Sequence, residues 1–254
     1  MIPSDKYDYK TLFGKGLNVT SFYKRKYWGI ALFVYSLLCL NAVYASSLAL
    51  QGEQAEKLKH VSILFGKNGS LVFEKIEKKR LPAPYNYLLT QPLLTIGVET
   101  YYKRSPKIET IFKSENKKNN TYSRAIVMLI DNNKKRNNAA LAHAKNDAKM
   151  VELAFITIHF DDLPAKIKDK IIKTNIPFGK LLATNQLETY SVNQHYFLLK
   201  CNRKIAEYFH CKTNKIIYGR TNTLIRSDTQ KKVASVLEIL SGISCKEKNC
   251  ITLI

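Results

Sequence analysis

From residue 107 onward, apolar and polar positions alternate in a way that divides the chain into long strands with helices between them. Lys107–Lys113 sets Ile108, Thr110 and Phe112 against Glu109 and Ile111 and reads as a strand, followed by a turn over Asn116–Asn120. Tyr122–Ile130 and Val151–Phe160 are apolar, β-branched strands, and Glu188–Lys200 is a long one. Lys215–Arg226 and Lys231–Leu240 form a hairpin about Ser227-Asp228-Thr229-Gln230. Helices intervene. Leu163, Ile167 and Ile171 share one face of a helix over Leu163–Lys173, with Asp161 and Asp162 as its capping residues. Asn175 caps a short helix through Ala183 that holds Pro177 in its first turn. Lys204–His210 is a third helix, and residues 93–103 read as another despite Gly97. Residues 132–138 read as a charged loop and 139–150 as an Ala-rich helical insertion. Earlier, 53–60 reads as a short polar helix, with strands Val61–Phe65 and Ser70–Ile76 about a glycine turn. The expected class is α+β: an antiparallel β-sheet with a few covering helices.

A different pattern marks the start of the chain. Tyr27–Leu50 carries no charge, follows Lys24-Arg25-Lys26, and contains Val43-Tyr44-Ala45 with small residues where a signal peptidase reads. This is the layout of a secretory signal. The span is also long enough to cross a bilayer as an uncleaved anchor, or to serve as a buried core helix. The expected organisation is an N-terminal region over 1–45, an extension over 46–84, the main domain over 85–242 and a tail over 243–254. The main domain is expected to be exported, periplasmic or secreted, or else anchored with the domain outside. The membrane is then a partner only through residues 27–50. The rest is expected to be a monomer.

Charge narrows the partners. With 41 Lys/Arg against 20 Asp/Glu, the formal charge is +21. That attracts anions. The lysines are scattered, and aromatic residues are not interleaved with them as a stacking platform requires, which argues against nucleic acid. The basic loop Lys134–Arg136 reads as solvated, with the lining of a substrate entrance as the alternative. Beyond the signal stand four cysteines, Cys201, Cys211, Cys245 and Cys250. An even number in an exported chain fits two disulfides, with three possible connectivities. Cys201 and Cys211 flank a short helix and could staple it. Metal spacing is absent from them.

Strand parity singles out two charges. In Tyr122–Ile130, Arg124 shares a face with Tyr122, Ile126, Met128 and Ile130. In Lys231–Leu240, Glu238 shares one with Ala234, Val236 and Leu240. A buried charge without a partner costs several kcal/mol, so the two are expected to meet each other or a ligand. The opposite faces, with Ala125, Val127 and Leu129 or Val233, Leu237 and Ile239, are comparably apolar, and parity alone does not say which face is inward.

Several segments resemble the chorismate lyase-like family, in the family's order. They are Ile176-Pro177-Phe178-Gly179-Lys180-Leu181-Leu182, Leu187-Glu188-Thr189, Tyr218-Gly219-Arg220 and Val236-Leu237-Glu238-Ile239-Leu240, preceded by Leu93-Leu94-Thr95 and Ser123-Arg124-Ala125-Ile126. The resemblance covers roughly residues 85–242. It implies an antiparallel sheet whose helices cover a small ligand cavity, and removal of pyruvate from chorismate to give 4-hydroxybenzoate, with no metal and no organic cofactor. It implies catalytic roles for Arg124, which would hold a carboxylate by two bonds, and Glu238. On an apolar face Glu238 should have a raised pKa and donate a proton to the ring oxygen. It further implies that Phe178 and Gly179 present backbone N–H groups to the substrate and that Leu94 lines the cavity near the ring. The alternatives on the same fold are a non-catalytic protein that binds a small aromatic carboxylate, and an exported interaction protein that uses its basic surface. A ligand-sensing domain of one large class of bacterial transcription regulators has a related fold, which makes binding without chemistry a natural variant.

Overall fold

A computed structural model describes residues 72–246 and 249–252. The helix over 53–60, the strand over 61–65, the glycine turn and the uncharged span over 27–50 lie outside the described residues. No described helix is long and apolar enough to cross a membrane.

Seven antiparallel strands form the main sheet. They are β1 (Glu74–Ile76), β2 (Lys107–Asn116), β3 (Thr121–Asp131), β4 (Ala148–His159), β5 (Thr189–Lys200), β6 (Ile216–Arg226) and β7 (Lys232–Leu240). Their order across the sheet is β1-β5-β6-β7-β4-β3-β2. The class is α+β, as the alternation predicts. A separate two-stranded sheet pairs β8 (Ile243–Cys245) with β9 (Cys250–Thr252). Strands β3, β4, β6 and β7 sit inside the sheet and are covered on both faces, which explains the apolar runs of β3, β4 and β7; β6 instead buries the polar stretch Arg220-Thr221-Asn222-Thr223.

The helices divide between the two faces. One face carries α1 (Tyr85–Leu88), α2 (Leu94–Tyr102), α4 (Ala165–Lys173) and α5 (Phe178–Thr184), while α3 (Ala139–Ala144) packs beside the ends of β3 and β4. Beneath these covers the apolar contacts form two clusters. In one, Leu88, Leu94 and Val98 meet Ile126, Met128 and Leu240. In the other, Ile167, Phe178 and Leu182 meet Ile156, Leu224 and Val236. The opposite face carries α6 (Arg203–Phe209), whose Ile205 and Phe209 pack on Val127, Phe197, Leu237 and Ile239. Asn202 caps α6 through its side chain, which accepts from Ile205 N–H at 2.9 Å. Cys201 and Cys211 are bonded across this helix, and Cys245 and Cys250 close the β8–β9 turn. One of the three possible connectivities is thereby selected.

Helix starts depart from expectation. α4 begins at Ala165 behind Pro164, and α5 at Phe178 behind Pro177, and neither has a side-chain cap. The residue before a proline is pushed out of the helical region, so Leu163 and Ile176 cannot open these helices. Asp161 instead accepts from Asn120 Nδ2 at 2.6 Å, Asp162 meets Thr229 and Arg226, and Asn175 meets Thr110 at 3.4 Å. The insertion over 139–150 is helical only to Ala144; Ala148 already belongs to β4. Arg136 is not a solvated loop residue. It bridges Asp131 and Asp147 at 2.6 and 2.5 Å.

Candidate functional site: a polar cavity between two apolar clusters

Antiparallel registers lay the inner strands out as a grid. One row across the sheet runs Arg124 (β3), Ile156 (β4), Val236 (β7), Asn222 (β6). The next runs Ile126, Ala154, Glu238, Arg220, and the one after it Met128, Glu152, Leu240, Tyr218. Arg124, Glu238, Asn222 and Glu152 all face the side covered by α2 and α5. They line one cavity there, with Ile126, Met128, Ile156 and Val236 on its floor and Leu93, Leu94, Phe178 and Gly179 on its cover. The parity expected of Arg124 and Glu238 is the one seen. The five residues that the resemblance singles out border this single space.

The cavity measures about 50 Å³. A water needs about 10–15 Å³ on this measure, so there is room for a few. A ring-sized ligand needs more and enters only if the cover formed by Leu94 and Phe178 shifts outward.

Arg124 and Glu238 do not pair with each other. Glu238 is bound to Arg220 Nε, its direct neighbour across β6 and β7. Arg220 also donates from Nη1 to the carbonyls of Leu89 and Gln91, at 2.7 and 2.5 Å. The Arg220–Glu238 pair therefore ties the α1–α2 connection, which continues into the cavity cover at Pro92 and Leu93, onto the sheet. The expectation that Glu238 meets Arg124 or a ligand is corrected to this extent: its partner in the fold is Arg220.

Arg124 is 3% exposed. Its Nη2 reaches Ile176 O at 3.3 Å, its Nε has no acceptor, and no carboxylate among the described residues pairs with it. Burial lowers its pKa against an opposing effect of Tyr122, but a guanidinium keeps its proton in proteins. Glu152 is buried, and one carboxyl oxygen has no partner. Burial first, and then the nearby Glu238, push its pKa well above the ordinary carboxyl range, while Arg220 pulls the other way. Asn222 donates through Nδ2 to Ser191 Oγ at 3.3 Å, and its Oδ1 has no partner. The amide orientation follows from the network, because Ser191 spends its own proton on Pro92 O at 3.4 Å and can only accept.

Sequence reasoning missed Glu152, Arg220 and Asn222 as site residues. The signal was available. Glu152 shares strand parity with Ala154, Ile156 and Ile158, and Arg220 and Asn222 with Leu224.

No protein-family model matches this chain, and no curated protein does either. Among solved structures, the chain is similar to a gene product from Staphylococcus aureus at 12% identity, over 53% of this chain and 82% of that one, with a TM-score of 0.37. It is similar to a GntR-family transcriptional regulator from Enterococcus faecalis at 14% identity, over 53% and 93%, with a TM-score of 0.35. A putative regulator from Escherichia coli gives 11% identity over 53% and 95%, with a TM-score of 0.33. Likenesses this low assign no family.

Proposed function

We propose that the protein binds a small organic acid in this cavity, with Arg124 as the anchor of its carboxylate. The observation that carries the reading is the buried Arg124 guanidinium, whose Nε lacks an acceptor and whose charge lacks a counter-ion among the described residues. Leaving such a group unpaired costs several kcal/mol, and a ligand carboxylate recovers it with two parallel hydrogen bonds. The apolar floor and cover suit a hydrocarbon or aromatic body. Titration calorimetry at pH 7 with benzoate and 4-hydroxybenzoate tests this. Saturable binding that falls at least about tenfold in Arg124→Gln is expected. Absence of binding, or equal binding by the variant, overturns the reading.

A second, finer reading is the lyase reaction implied by the resemblance, elimination of pyruvate from chorismate to give 4-hydroxybenzoate. What favours it is the convergence of Arg124, Glu238, Leu94, Phe178 and Gly179 on one cavity. Arg124 would hold a carboxylate, and a carboxyl on the far wall would meet the ring oxygen that becomes the phenol. Release of 4-hydroxybenzoate from chorismate, followed by absorbance and lost in Arg124→Gln, is the measurement. Export of the domain remains part of the proposal, supported by the basic and apolar pattern over 24–45 and by the two bonded cysteine pairs.

A further inference from the structure

A ring-sized ligand must displace part of the cavity's cover, and the two segments that lead into that cover are fastened very differently. On the side of α1 and α2, Arg220 holds the carbonyls of Leu89 and Gln91 at 2.7 and 2.5 Å. On the other side, a strap of Asn175 and Ile176 joins the end of α4 to Pro177 and Phe178, and its hydrogen bonds are long. Thr110 Oγ1 donates to Asn175 Oδ1 at 3.4 Å, Ile176 N–H to Thr174 Oγ1 at 3.3 Å, and Arg124 Nη2 to the Ile176 carbonyl at 3.3 Å. Hydrogen bonds beyond about 3.2 Å are weak. The ends of the strap are firm. Thr174 N–H and Oγ1 both donate to Lys170 O, at 3.0 and 2.7 Å, and Pro177 O accepts from Leu181 N–H at 3.0 Å.

Outside the strap the surface is hollow and basic. Two open depressions of about 330 and 340 Å³ meet at Asn175, which borders both. Ile176 and Pro177 border the second, and Pro177 borders the cavity as well, so one thickness of chain stands between them. Lys113 and Lys173 border the first depression, and Lys107, Lys170 and Lys180 the second. Three of these are spent on carboxylates: Lys173 on Asp169 at 2.6 Å, Lys107 on Glu109 at 3.0 Å and Lys180 on Glu99 at 2.8 Å. Lys113 and Lys170 pair with no carboxylate among the described residues. Lys113 is also the direct neighbour of Arg124 across β2 and β3. Along that face β2 passes from Ile108, which lines the cavity, through Thr110, which holds the strap, to a bulge and then Lys113. The basic loop over 134–136 lines neither the cavity nor these depressions.

We infer that the ligand enters here: the strap between Thr174 and Pro177 is the gate to the cavity, the Arg124–Ile176 hydrogen bond is its latch, and Lys113 and Lys170 draw the acid to it. This rests on the carboxylate-binding reading above and adds the route. A carboxylate that takes Arg124 Nη2 competes with the Ile176 carbonyl for the same donor, so arrival of the ligand loosens the latch. Outward movement of the strap carries Phe178, which follows Pro177 directly, away from the cavity, and that is the widening a ring needs. Uncommitted lysines beside the opening raise the local concentration of an anion and speed its capture more than they tighten the final complex.

The test is stopped-flow fluorescence on the full chain with 4-aminobenzoate, a fluorescent relative of benzoate. Replacing both lysines, Lys113→Gln with Lys170→Gln, is expected to slow association about three- to tenfold at about 20 mM salt and to leave dissociation within about twofold, with the difference gone at about 0.5 M salt. The same change of charge at the two residues that flank α6 in the chain, Lys200→Gln with Lys212→Gln, should leave association within about twofold. Asn175→Gly removes the strap's bond to β2 from outside the cavity, and association and dissociation are both expected to rise about threefold or more while the equilibrium affinity stays within about twofold. Unchanged association in the Lys113/Lys170 protein, an equal loss in the Lys200/Lys212 protein, or unchanged rates in Asn175→Gly overturns the inference. In each of these cases binding that is lost in Arg124→Gln still supports the parent reading. If 4-aminobenzoate does not bind, or binds equally to Arg124→Gln, the parent reading fails and the gate falls with it.

Discussion

Two groups of buried charges in this molecule are built in opposite ways. At the end of β3, Asp131 is fully buried and its two oxygens accept four hydrogen bonds, from Arg136 Nε and Nη2 at 2.7 and 2.6 Å and from the backbone of Asn133 and Asn138 at 2.7 and 2.8 Å. Arg136 spends its remaining reach on Asp147. Roughly 14–27 Å away on the scale of strand rise and strand spacing, Arg124, Glu152 and Asn222 are also buried, and each has an atom with no partner. The first group closes on itself and fixes the loop and helix over 132–147. The second borders the cavity and is not closed by the fold's own side chains. Buried polarity alone does not mark a binding site; incomplete hydrogen bonding around a cavity does.

The largest effect should come from breaking the closed group. Asp131→Ala leaves Arg136 with Asp147 alone and strands two backbone donors, and unfolding in urea is expected to show a loss of about 2–4 kcal/mol, with ligand affinity in the surviving folded protein little changed. Acid tests the same residue. Burial would raise the Asp131 pKa, but the Arg136 hydrogen bond and the two backbone bonds hold it down at about 2, against an ordinary 3.8. The depressed value means that its stabilisation is complete above pH 4 and disappears as pH falls towards 2. An Asp131→Asn protein should lack that part of the acid transition.

Next in size is the staple on the opposite face. Replacing Cys201 and Cys211 together by alanine frees the ends of α6, and a loss of about 3 kcal/mol is expected for a loop of this length, read from denaturant midpoints. The cavity lies on the other side of the sheet, so ligand binding should persist.

The incomplete group should respond with the reverse sign. Arg124→Leu removes a buried charge that no carboxylate balances, and a gain of up to about 1–2 kcal/mol in stability is expected together with loss of carboxylate binding. A destabilised Arg124→Leu protein would show that the guanidinium is satisfied within the fold and would erase the contrast with Asp131. The smallest effect is that of Glu152→Gln on stability. A carboxyl whose pKa is raised by folding binds its proton more tightly in the native state, so stability falls as pH rises above the ordinary value of 4.5 and is fully recovered below it. The variant should be slightly more stable than wild type at neutral pH and equal to it below pH 4.

How much of this was legible in the sequence depended on whether the deciding contact was local. Alternation and turn residues located the strands, because strand parity and turn chemistry are properties of a few neighbouring residues. Arg124 and Glu238 stood out as charges on apolar faces. Their actual relations did not: the expected hairpin already laid β6 beside β7 and so put Arg220 within reach of Glu238, a readable signal that went unused, while the placing of β7 next to β4 shows only in the folded sheet. Glu152 and Asn222 were hidden for a related reason. In β4, covered on both faces, Glu152 is one polar residue in an apolar stretch and reads as noise, and in β6 Asn222 sits within the polar run Arg220-Thr221-Asn222-Thr223, where nothing local sets it apart. Arg136 looked like part of a solvated basic loop because its two acidic partners, five residues before it and eleven after, are brought to it by the turn of the chain. The Asp161, Asp162 and Asn175 caps failed on a rule that was readable, the effect of Pro164 and Pro177 on the residue before them.

Gly219 gives the far side of the sheet a hold on the cavity. A β-carbon there would press on the Glu238 carbonyl and on the ring of Phe197, which lies over the glycine on the α6 side. Even a methyl group would wedge β6 from β7 beside the Arg220–Glu238 pair, which fastens the roof over Pro92 and Leu93. A change on the opposite face of the sheet, outside the cavity, would thus loosen the cavity's cover from behind.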